Sequence, residues 1–269
     1  MSAAPIRTAA RSALFVPAST PERIGKALAS GADEVIVDLE DAVPPARKID
    51  AREALAQWLA GPGQARITVR VNAAGTEWHA DELALLATHP RIAALMLPKA
   101  EDPERIAALA SKPIVALIET ARGIANARAI AAAPGVVRLA FGSIDFQADL
   151  GIEGEDDALL AFRSEIVLAS RLAERPAPLD GVCIAIDDAA RIEAESAYAR
   201  QLGFGGKLCI HPAQVALVNR VFSPTPAQLD WARRVVAADA ASGGAAVAVD
   251  GKMIDRPVVA KANAILNRK

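Results

Sequence analysis

Short apolar segments alternate with helical segments along most of the chain, and this alternation restricts the fold more strongly than any other feature. The apolar segments are continuous, without the polar residue at every second position that marks a half-buried strand. Such segments are typical of strands buried on both faces, as in a parallel sheet. The eight predicted strands are 13–16, 34–37, 66–71, 93–97, 113–118, 136–141, 181–185 and 207–210.

Eight strands that alternate with helices are the count of a (β/α)8 TIM barrel. A doubly wound open sheet is the alternative, but no G-x-G-x-x-G motif follows the first strand. We therefore predict one α/β barrel domain over residues 1–222, beginning with a short arm before Ser12. Residues 223–269 are predicted to form a C-terminal extension with a helix at 226–241, a linker at 242–244 and a last helix from Pro257.

Two acidic residues follow neighbouring strands of the predicted barrel. Glu119 comes directly after segment 113–118, and Asp145 ends the Gly-Ser-Ile-Asp segment after 136–141. Because the carboxyl ends of parallel strands meet at one edge, we expect both side chains there. Carboxylates at one site repel each other unless a proton or a cation lies between them, and oxygen ligands suit Mg²⁺. We predict that Glu119 and Asp145 bind Mg²⁺; the alternative is that each only stabilises the start of a helix.

Charged side chains also follow most of the other predicted strands. They are the group Asp38, Glu40 and Asp41, then Arg70, Lys99 with Glu101, Asp187 with Asp188, and His211. Burying a charge costs several kcal/mol unless it is paired or coordinated, so a functional site at this end is favoured. The planar guanidinium of Arg70 could hold a carboxylate through two hydrogen bonds. An ion pair between Arg70 and the Asp38 group is the alternative.

Charge and cysteine content exclude several classes of protein. Thirty basic and 32 acidic residues give a formal net charge of −2, which does not fit a nucleic-acid-binding surface. No segment reaches the length of a transmembrane helix, so no membrane partner is predicted. The two cysteines, Cys183 and Cys209, lie in apolar segments and are predicted to be reduced core residues. We therefore expect a cytoplasmic protein.

Nine motifs in order give a specific resemblance from Arg11 to about Leu266. The chain resembles the citrate lyase β-subunit-like (CitE-like) proteins of the HpcH/HpaI aldolase family. The motifs are RSALFVP (11–17), DLEDAV (38–43), RVN (70–72), LPK (97–99), IET (118–120), FGSID (141–145) with DLG (149–151), LGFGGK (202–207), IHP (210–212) and DGKMID (250–255).

The resemblance implies roles for individual residues. It implies Mg²⁺ on Glu119 and Asp145, with Asp38, Glu40 and Asp41 around it, and a substrate carboxylate on Arg70. Phe15, Lys26, Ile210 and His211 match positions where relatives contact the substrate or its coenzyme A moiety. For Lys26 the alternative is an exposed helix face, and for His211 it is an ordinary loop histidine. Asp255 matches a catalytic acid on a C-terminal lid, often contributed across a subunit boundary, with a helix N-cap as its alternative.

The activity implied is a Mg²⁺-dependent lyase reaction. A β-hydroxyacyl-CoA of the citramalyl-, malyl- or citryl-CoA type would be cleaved to acetyl-CoA and a 2-oxo acid such as oxaloacetate, pyruvate or glyoxylate. The alternatives are an HpcH-type aldolase acting on a free 4-hydroxy-2-oxo acid, and a non-catalytic or complex-bound citrate lyase β-like subunit. The resemblance also implies a homotrimer or another homo-oligomer.

Overall fold

Eight parallel strands form a closed barrel in chain order, and β8 pairs with β1. The structure, a computed structural model, describes residues 10–154, 156–242 and 247–267. The predicted TIM-barrel class is confirmed, because closure excludes an open doubly wound sheet. The strands are β1 Ser12–Pro17, β2 Glu34–Asp38, β3 Ile67–Arg70, β4 Ile92–Leu97, β5 Ile114–Ile118, β6 Val136–Phe141, β7 Leu179–Asp180 and β8 Gly206–Cys209.

The register of the strands brings their carboxyl ends together on one side of the barrel. Asp38 is paired with Arg70 across β2 and β3, and Ile118 with Phe141 across β5 and β6. The residues that follow these pairs therefore start from neighbouring positions. The barrel interior is filled by small and aliphatic side chains, as strands buried on both faces require. These are Ala13, Ile36, Ala94, Met96, Val115, Leu117, Ala140, Leu179 and Leu208.

Helices follow the strands around the barrel. Side chains of Asp102, Thr120 and Asp188 accept backbone N–H groups at the starts of three of these helices, which satisfies otherwise unpaired donors. The helical segment between β5 and β6 is divided at Asn126, whose side chain donates to Glu101 O at 2.8 Å. The helices are α1 Glu22–Leu28, α2 Lys48–Ala60, α3 His79–Leu86, α4 Pro103–Ala107, α5 Ala121–Ala125, α6 Ala127–Ala132, α7 Ser143–Leu150, α8 Leu160–Leu172, α9 Ala189–Leu202 and α10 Pro212–Phe222.

The seventh strand is not where the apolar pattern predicted it. Segment 181–185 is irregular, and β7 is the pair Leu179–Asp180 just before it. The carbonyls of Cys183 and Ala185 accept the side-chain amide of Gln214, at 2.8 Å each, instead of extending the β-ladder. Asp180 is buried and is held by two cations, Nε of Arg163 at 3.0 Å and Nζ of Lys207 at 3.1 Å. A strand that ends in a buried, paired carboxylate has no continuous apolar pattern. The prediction of the seventh strand at 181–185 was therefore wrong, because the strand lies at Leu179–Asp180.

The chain divides into two compact units, 1–220 and 221–269, and the division falls within α10. The second unit contains α11 Pro226–Ser242, the antiparallel hairpin of β9 Val247–Val249 and β10 Lys252–Ile254, and α12 Arg256–Leu266. Asp250 and Gly251 join the two strands with φ values of 52° and 73°, the left-handed pair of a tight hairpin turn. Ala232, Val235, Ile254 and Ala262 form the core of this unit. The predicted boundary between 222 and 223 stays a prediction.

Further expectations concern the N-terminal arm, the linker, the two cysteines and the membrane. Residues 1–9 of the expected arm, and 243–246 in and after the expected linker, lie outside the described residues. Cys183 and Cys209 are both buried free thiols. Among the described residues, no helix combines the length and the apolarity needed to cross a membrane.

Candidate active site

The turn that follows β2, Asp38 to Asp41, carries three carboxylates and is here called the acid turn. The Asp38 side chain accepts the backbone N–H groups of Glu40 and Ala42, both at 2.9 Å, so it shapes the turn. Asp38 and Glu40 are buried, whereas Asp41 is exposed. The turn therefore directs the Glu40 carboxylate into the barrel mouth and leaves Asp41 at the rim.

Arg70 is bound to this turn through most of its guanidinium. Nε and Nη2 hold the two oxygens of Asp38 at 2.7 and 2.6 Å. Nη1 lies 3.1 Å from Glu40 and 3.3 Å from Asp41. Burial opposes the charge of Arg70, but Asp38 above all, then Glu40 and Asp41, raise the pKa of the guanidinium. The structure thus contains the ion pair set out as the alternative, and binding of a substrate carboxylate by Arg70 stays a prediction.

Glu119 is a buried carboxylate with an unused oxygen. Its side chain is 1% exposed at the end of β5, and Oε1 accepts the backbone N–H of Lys99 at 2.8 Å. Oε2 is buried and makes no hydrogen bond to any described residue. Burial, together with the charges of Glu40 and Asp145, raises the pKa of Glu119 to about 8. The helix-capping alternative does not describe this residue, because Thr120 is the N-cap of α5.

Lys99 connects Glu119 to the acid turn. Its Nζ donates to Glu40 Oε1 at 2.9 Å while its backbone N–H binds Glu119. The residue adopts a left-handed φ of 47°, an unfavourable conformation for a side chain with a Cβ. Burial raises the pKa of Glu40 against the opposing effects of Arg70 and Lys99. Lys99 therefore binds two buried carboxylates at once, Glu119 through its backbone N–H and Glu40 through its ammonium group.

Asp145 is a further acidic residue near Glu119. It lies in the first turn of α7, is half-buried, and is close enough to raise the Glu119 pKa electrostatically. Within the described ranges, no group of three or more His, Cys, Asp or Glu side chains is placed to hold a metal. Mg²⁺ does not need such a cage, since it is commonly held by one or two carboxylates with water and substrate. A buried carboxylate oxygen without a hydrogen-bond partner beside a second carboxylate fits this ion.

The predicted substrate contacts lie at several places on the barrel. Phe15, in β1, is half-buried with its ring 4.8 Å from the Arg70 guanidinium, a cation–π distance. Lys26 is exposed in the last turn of α1. Ile210 and His211 are exposed directly after β8, and Gln214 accepts both of their backbone N–H groups. Their contact with substrate stays a prediction.

Asp255 belongs to the second unit, where it is exposed and starts α12. Its Oδ1 accepts the backbone N–H of Val258 at 3.2 Å. The N-cap set out as the alternative is therefore present. A cap and a proton donor are compatible roles for one carboxylate, so the catalytic role stays a prediction.

Comparison with known proteins identifies the family. The sequence model of the HpcH/HpaI aldolase/citrate lyase family matches residues 11–212. The chain belongs to this family. Among curated relatives, a citrate lyase subunit beta-like protein of Mycobacterium tuberculosis (strain H37Rv) is 40% identical over 270 residues, covering 98% of this chain and 97% of the relative. The predicted family membership is thus confirmed.

Other HpcH/HpaI relatives bear different names. A (3S)-malyl-CoA thioesterase of Cereibacter sphaeroides (strain KD131) is 39% identical over 273 residues, covering 95% of each chain. The crystal structure of CitE from Mycobacterium tuberculosis, in complex with magnesium, acetoacetate and coenzyme A, has a TM-score of 0.85 and 39% identity. It covers 97% of this chain and 98% of that chain.

Two buried charges around the acid turn escaped the sequence reasoning. Lys48 lies at the start of α2 and Glu82 in α3, and both are buried. Their helical spacing could have revealed them, since Lys48 falls on the stripe of Ala51, Leu55 and Leu59, the buried face of α2. A lysine at a core position of a helix is unusual enough to mark a buried partner.

Proposed function

We propose that this protein is a Mg²⁺-dependent enzyme that cleaves a β-hydroxyacyl-CoA, of the citramalyl-, malyl- or citryl-CoA type, to acetyl-CoA and a 2-oxo acid. The observation that carries the proposal is the buried Glu119 carboxylate, whose Oε2 lacks a hydrogen-bond partner among the described residues. The negative charge of Asp145 also raises the pKa of Glu119. Support also comes from the CitE structures, which contain magnesium with coenzyme A and acetoacetate in one case and with pyruvate in another.

Glu119 and Asp145 would hold the Mg²⁺ ion, with Asp38, Glu40 and Asp41 as the surrounding acids. When bound, Mg²⁺ supplies a Lewis acid for the hydroxyl and carboxylate oxygens of the substrate. Lys99 keeps Glu119 and Glu40 in fixed relation, so that the acids need not rearrange when the ion binds. This preorganisation is what a metal site requires of the residues around its ligands.

The protein's cations and rim residues would orient the substrate. Arg70 would supply positive charge to the carboxylate of the oxo-acid half, while Asp38 holds the guanidinium in place. Phe15 stacks on Arg70 and limits its movement. The CoA thioester would contact Lys26, Ile210 and His211. Lys26 offers a positive charge, His211 a hydrogen-bonding ring and Ile210 an exposed apolar surface.

The reaction conserves atoms and electrons without a redox partner. The substrate hydroxyl loses its proton to water, and its carbon becomes the carbonyl carbon of the 2-oxo acid. The bond between that carbon and the thioester α-carbon breaks, and its electron pair moves into the thioester as the enolate of acetyl-CoA. That carbon then needs a proton, and we assign its delivery to the carboxyl group of Asp255. General acid–base groups of this kind contribute about 10²–10⁴-fold to rate.

Hydrolysis of the thioester is a second candidate, favoured by the relatives named (3S)-malyl-CoA thioesterase at 39% identity. Hydrolysis and C–C cleavage begin from the same CoA ester but differ in products. Hydrolysis releases free coenzyme A thiol and a hydroxy acid. Cleavage yields acetyl-CoA and an oxo acid.

One experiment separates these outcomes. Purified protein is incubated with citramalyl-, malyl- and citryl-CoA and with free 4-hydroxy-2-oxo acids, with and without Mg²⁺, and acetyl-CoA, oxo acid and free thiol are quantified. We expect acetyl-CoA and oxo acid in equal amounts, only with Mg²⁺. Release of thiol in place of acetyl-CoA would establish the thioesterase, and turnover of the free acids alone would establish the aldolase.

Matched variants of α7 connect the activity to the proposed ligand. Asp145→Asn should abolish Mg²⁺-dependent turnover. Asp149→Asn, on the same helix, should not, because Asp149 accepts a backbone N–H of Ala121 at 2.7 Å and has no assigned role with the metal. Equal Mg²⁺ affinity of wild type and Asp145→Asn, measured by calorimetry, would remove Asp145 from the site.

A further inference from the structure

Lys48 binds the acid turn through the turn's backbone, whereas Arg70 binds it through the turn's side chains. Its Nζ donates to the backbone carbonyls of Leu39 at 2.7 Å and of Glu40 at 2.6 Å. Arg70 engages the carboxylates of the same turn, whereas Lys48 engages its peptide groups. The acid turn is therefore held between two cations that act on different parts of it.

The position of Lys48 is costly for a charged group, which indicates that its hydrogen bonds matter. Its side chain is 6% exposed on the apolar face of α2, with Nζ 5.5 Å from the centre of the Trp78 ring. An ammonium group buried in this way loses several kcal/mol of hydration unless its partners compensate. Burial lowers the pKa of Lys48, and the charges of Asp38 and Glu40 act in the opposite direction.

A second contact fixes the same part of the acid turn. The Leu39 carbonyl also accepts Nδ2 of Asn72 at 3.0 Å, so it has two donors. Asn72 is itself held by Glu82, a buried carboxylate that accepts its backbone N–H at 2.7 Å and its side-chain amide. Leu39 N–H donates to Arg70 O at 2.9 Å. These bonds leave the peptide between Leu39 and Glu40 little freedom to rotate.

We propose that Lys48 is a positioning residue for the magnesium site, acting through the peptide groups of the acid turn on the Glu40 carboxylate. The path is continuous: Lys48 sets Glu40, Glu40 binds Lys99 Nζ, and the backbone N–H of Lys99 binds Glu119. The inference rests on the proposed function, because it assumes that Glu119 holds the metal. Asn72 and Glu82 serve the same turn from the end of β3.

The test compares two lysines of the same chemistry at different places in the barrel. Lys112, before β5, likewise donates to two backbone carbonyls, His89 at 2.8 Å and Ile92 at 3.4 Å, but it has no contact with the acid turn. Lys48→Met and Lys112→Met each remove an ammonium group and two hydrogen bonds. Both should lower thermal stability. Mg²⁺ affinity in the presence of pyruvate is then measured by calorimetry for wild type and both variants.

We expect Lys48→Met to weaken Mg²⁺ binding by about 10- to 100-fold, the usual effect of removing a group that orients metal ligands. Lys112→Met should bind Mg²⁺ as wild type does, and Lys48→Arg should regain part of the affinity because it keeps a cation with several donors. Should Lys48→Met not fold, Lys48→Gln takes its place, since the amide keeps one donor without the charge. Wild-type affinity in a folded neutral variant of Lys48 would overturn the positioning role. Failure of wild type itself to bind Mg²⁺ would instead overturn the proposed function.

Discussion

Gly142 offers a direct test of the geometry around Glu119, because the space for a side chain at this position is already taken. Gly142 follows β6 and donates its N–H to Ile118 O at 2.9 Å. A Cβ added here would lie 2.6 Å from Glu119 Cβ and closer still to Glu119 Oε2. The φ of −89° is open to alanine, so the conflict is steric and not conformational.

The size of the disturbance follows from these distances. Carbon atoms in contact lie about 3.5–4.0 Å apart, so Gly142→Ala must displace Glu119 or the loop by about 1 Å. Overpacking of this kind costs about 1–3 kcal/mol of unfolding free energy. A displacement of about 1 Å at a reacting group can cost about 10²-fold in rate, which is about 2.7 kcal/mol of transition-state stabilisation. Stability should therefore fall modestly, while metal binding and activity should fall strongly.

Gly205→Ala is the matched control, because Gly205 lies just before β8 at the opposite end of the barrel. A Cβ there would lie 3.0 Å from Ala177 Cβ, so the variant is also overpacked, but far from Glu119. Thermal unfolding, Mg²⁺ affinity with pyruvate and CoA thioester turnover are measured for both variants. We expect both to lose stability and only Gly142→Ala to lose Mg²⁺ affinity. A folded Gly142→Ala variant with wild-type Mg²⁺ affinity would refute the placement of Glu119 in the metal site.

Three further predictions test other parts of the structure. Arg70→Lys should weaken pyruvate binding by about 1.5–3 kcal/mol, because an ammonium group cannot bind both oxygens of Asp38 and also serve a substrate; calorimetry showing equal binding would contradict this. Burial opposes the charge of Asp180, but its two cationic partners lower the pKa of its carboxyl. The stability that the Asp180 ion pairs contribute is complete above the unfolded pKa, about 3.9, and is lost as the pH falls through the lower folded pKa. Wild type and Asp180→Asn should therefore differ by about 3–5 kcal/mol in unfolding free energy near neutral pH, measured by urea unfolding, and this difference should narrow below about pH 4. Asp255→Asn should keep thermal stability and Mg²⁺ binding, because asparagine is an equivalent N-cap, but should lose C–C cleavage by about 10²-fold or more. If Asp255 serves a neighbouring subunit, mixing this variant with Glu119→Ala should restore some activity, and near wild-type cleavage by Asp255→Asn alone would rule out its catalytic role.

Periodicity was sufficient for the barrel but not for its seventh strand. Seven of the predicted segments overlap strands of the structure, because buried parallel strands are continuously apolar. β7 breaks that rule, since it ends in the buried and paired Asp180. In the apolar segment after it, Cys183 is buried but Ile184 is 59% exposed. Where charge pairing takes the place of apolar packing, the hydrophobic pattern no longer reports burial.

The candidate site was predictable for residues that directly follow strands. Asp38, Glu40 and Glu119 were found in this way, because their positions in the sequence place them at the barrel mouth. The partner of Arg70 was not predictable, because Asp38 and a substrate carboxylate offer the same chemistry. Only the register of β2 against β3, which places Arg70 beside Asp38, shows which carboxylate it binds in the structure. The buried position of Lys48 could have been predicted from the apolar face of α2, but its partners could not, because backbone carbonyls leave no mark in a sequence.

Three cations at the barrel mouth each bind a different group, and none of them binds the free oxygen of Glu119. Arg70 is committed to Asp38, Lys99 to Glu40 and Lys48 to peptide carbonyls. Each of these groups fixes the acids in place, yet none reaches Glu119 Oε2, which is buried without a partner among the described residues. If Lys99 moved to neutralise Glu119, it would release Glu40, and if Lys48 moved, it would release the acid turn. A small divalent cation could add charge there without taking a donor from the network, which is the physical reason for proposing Mg²⁺ at Glu119.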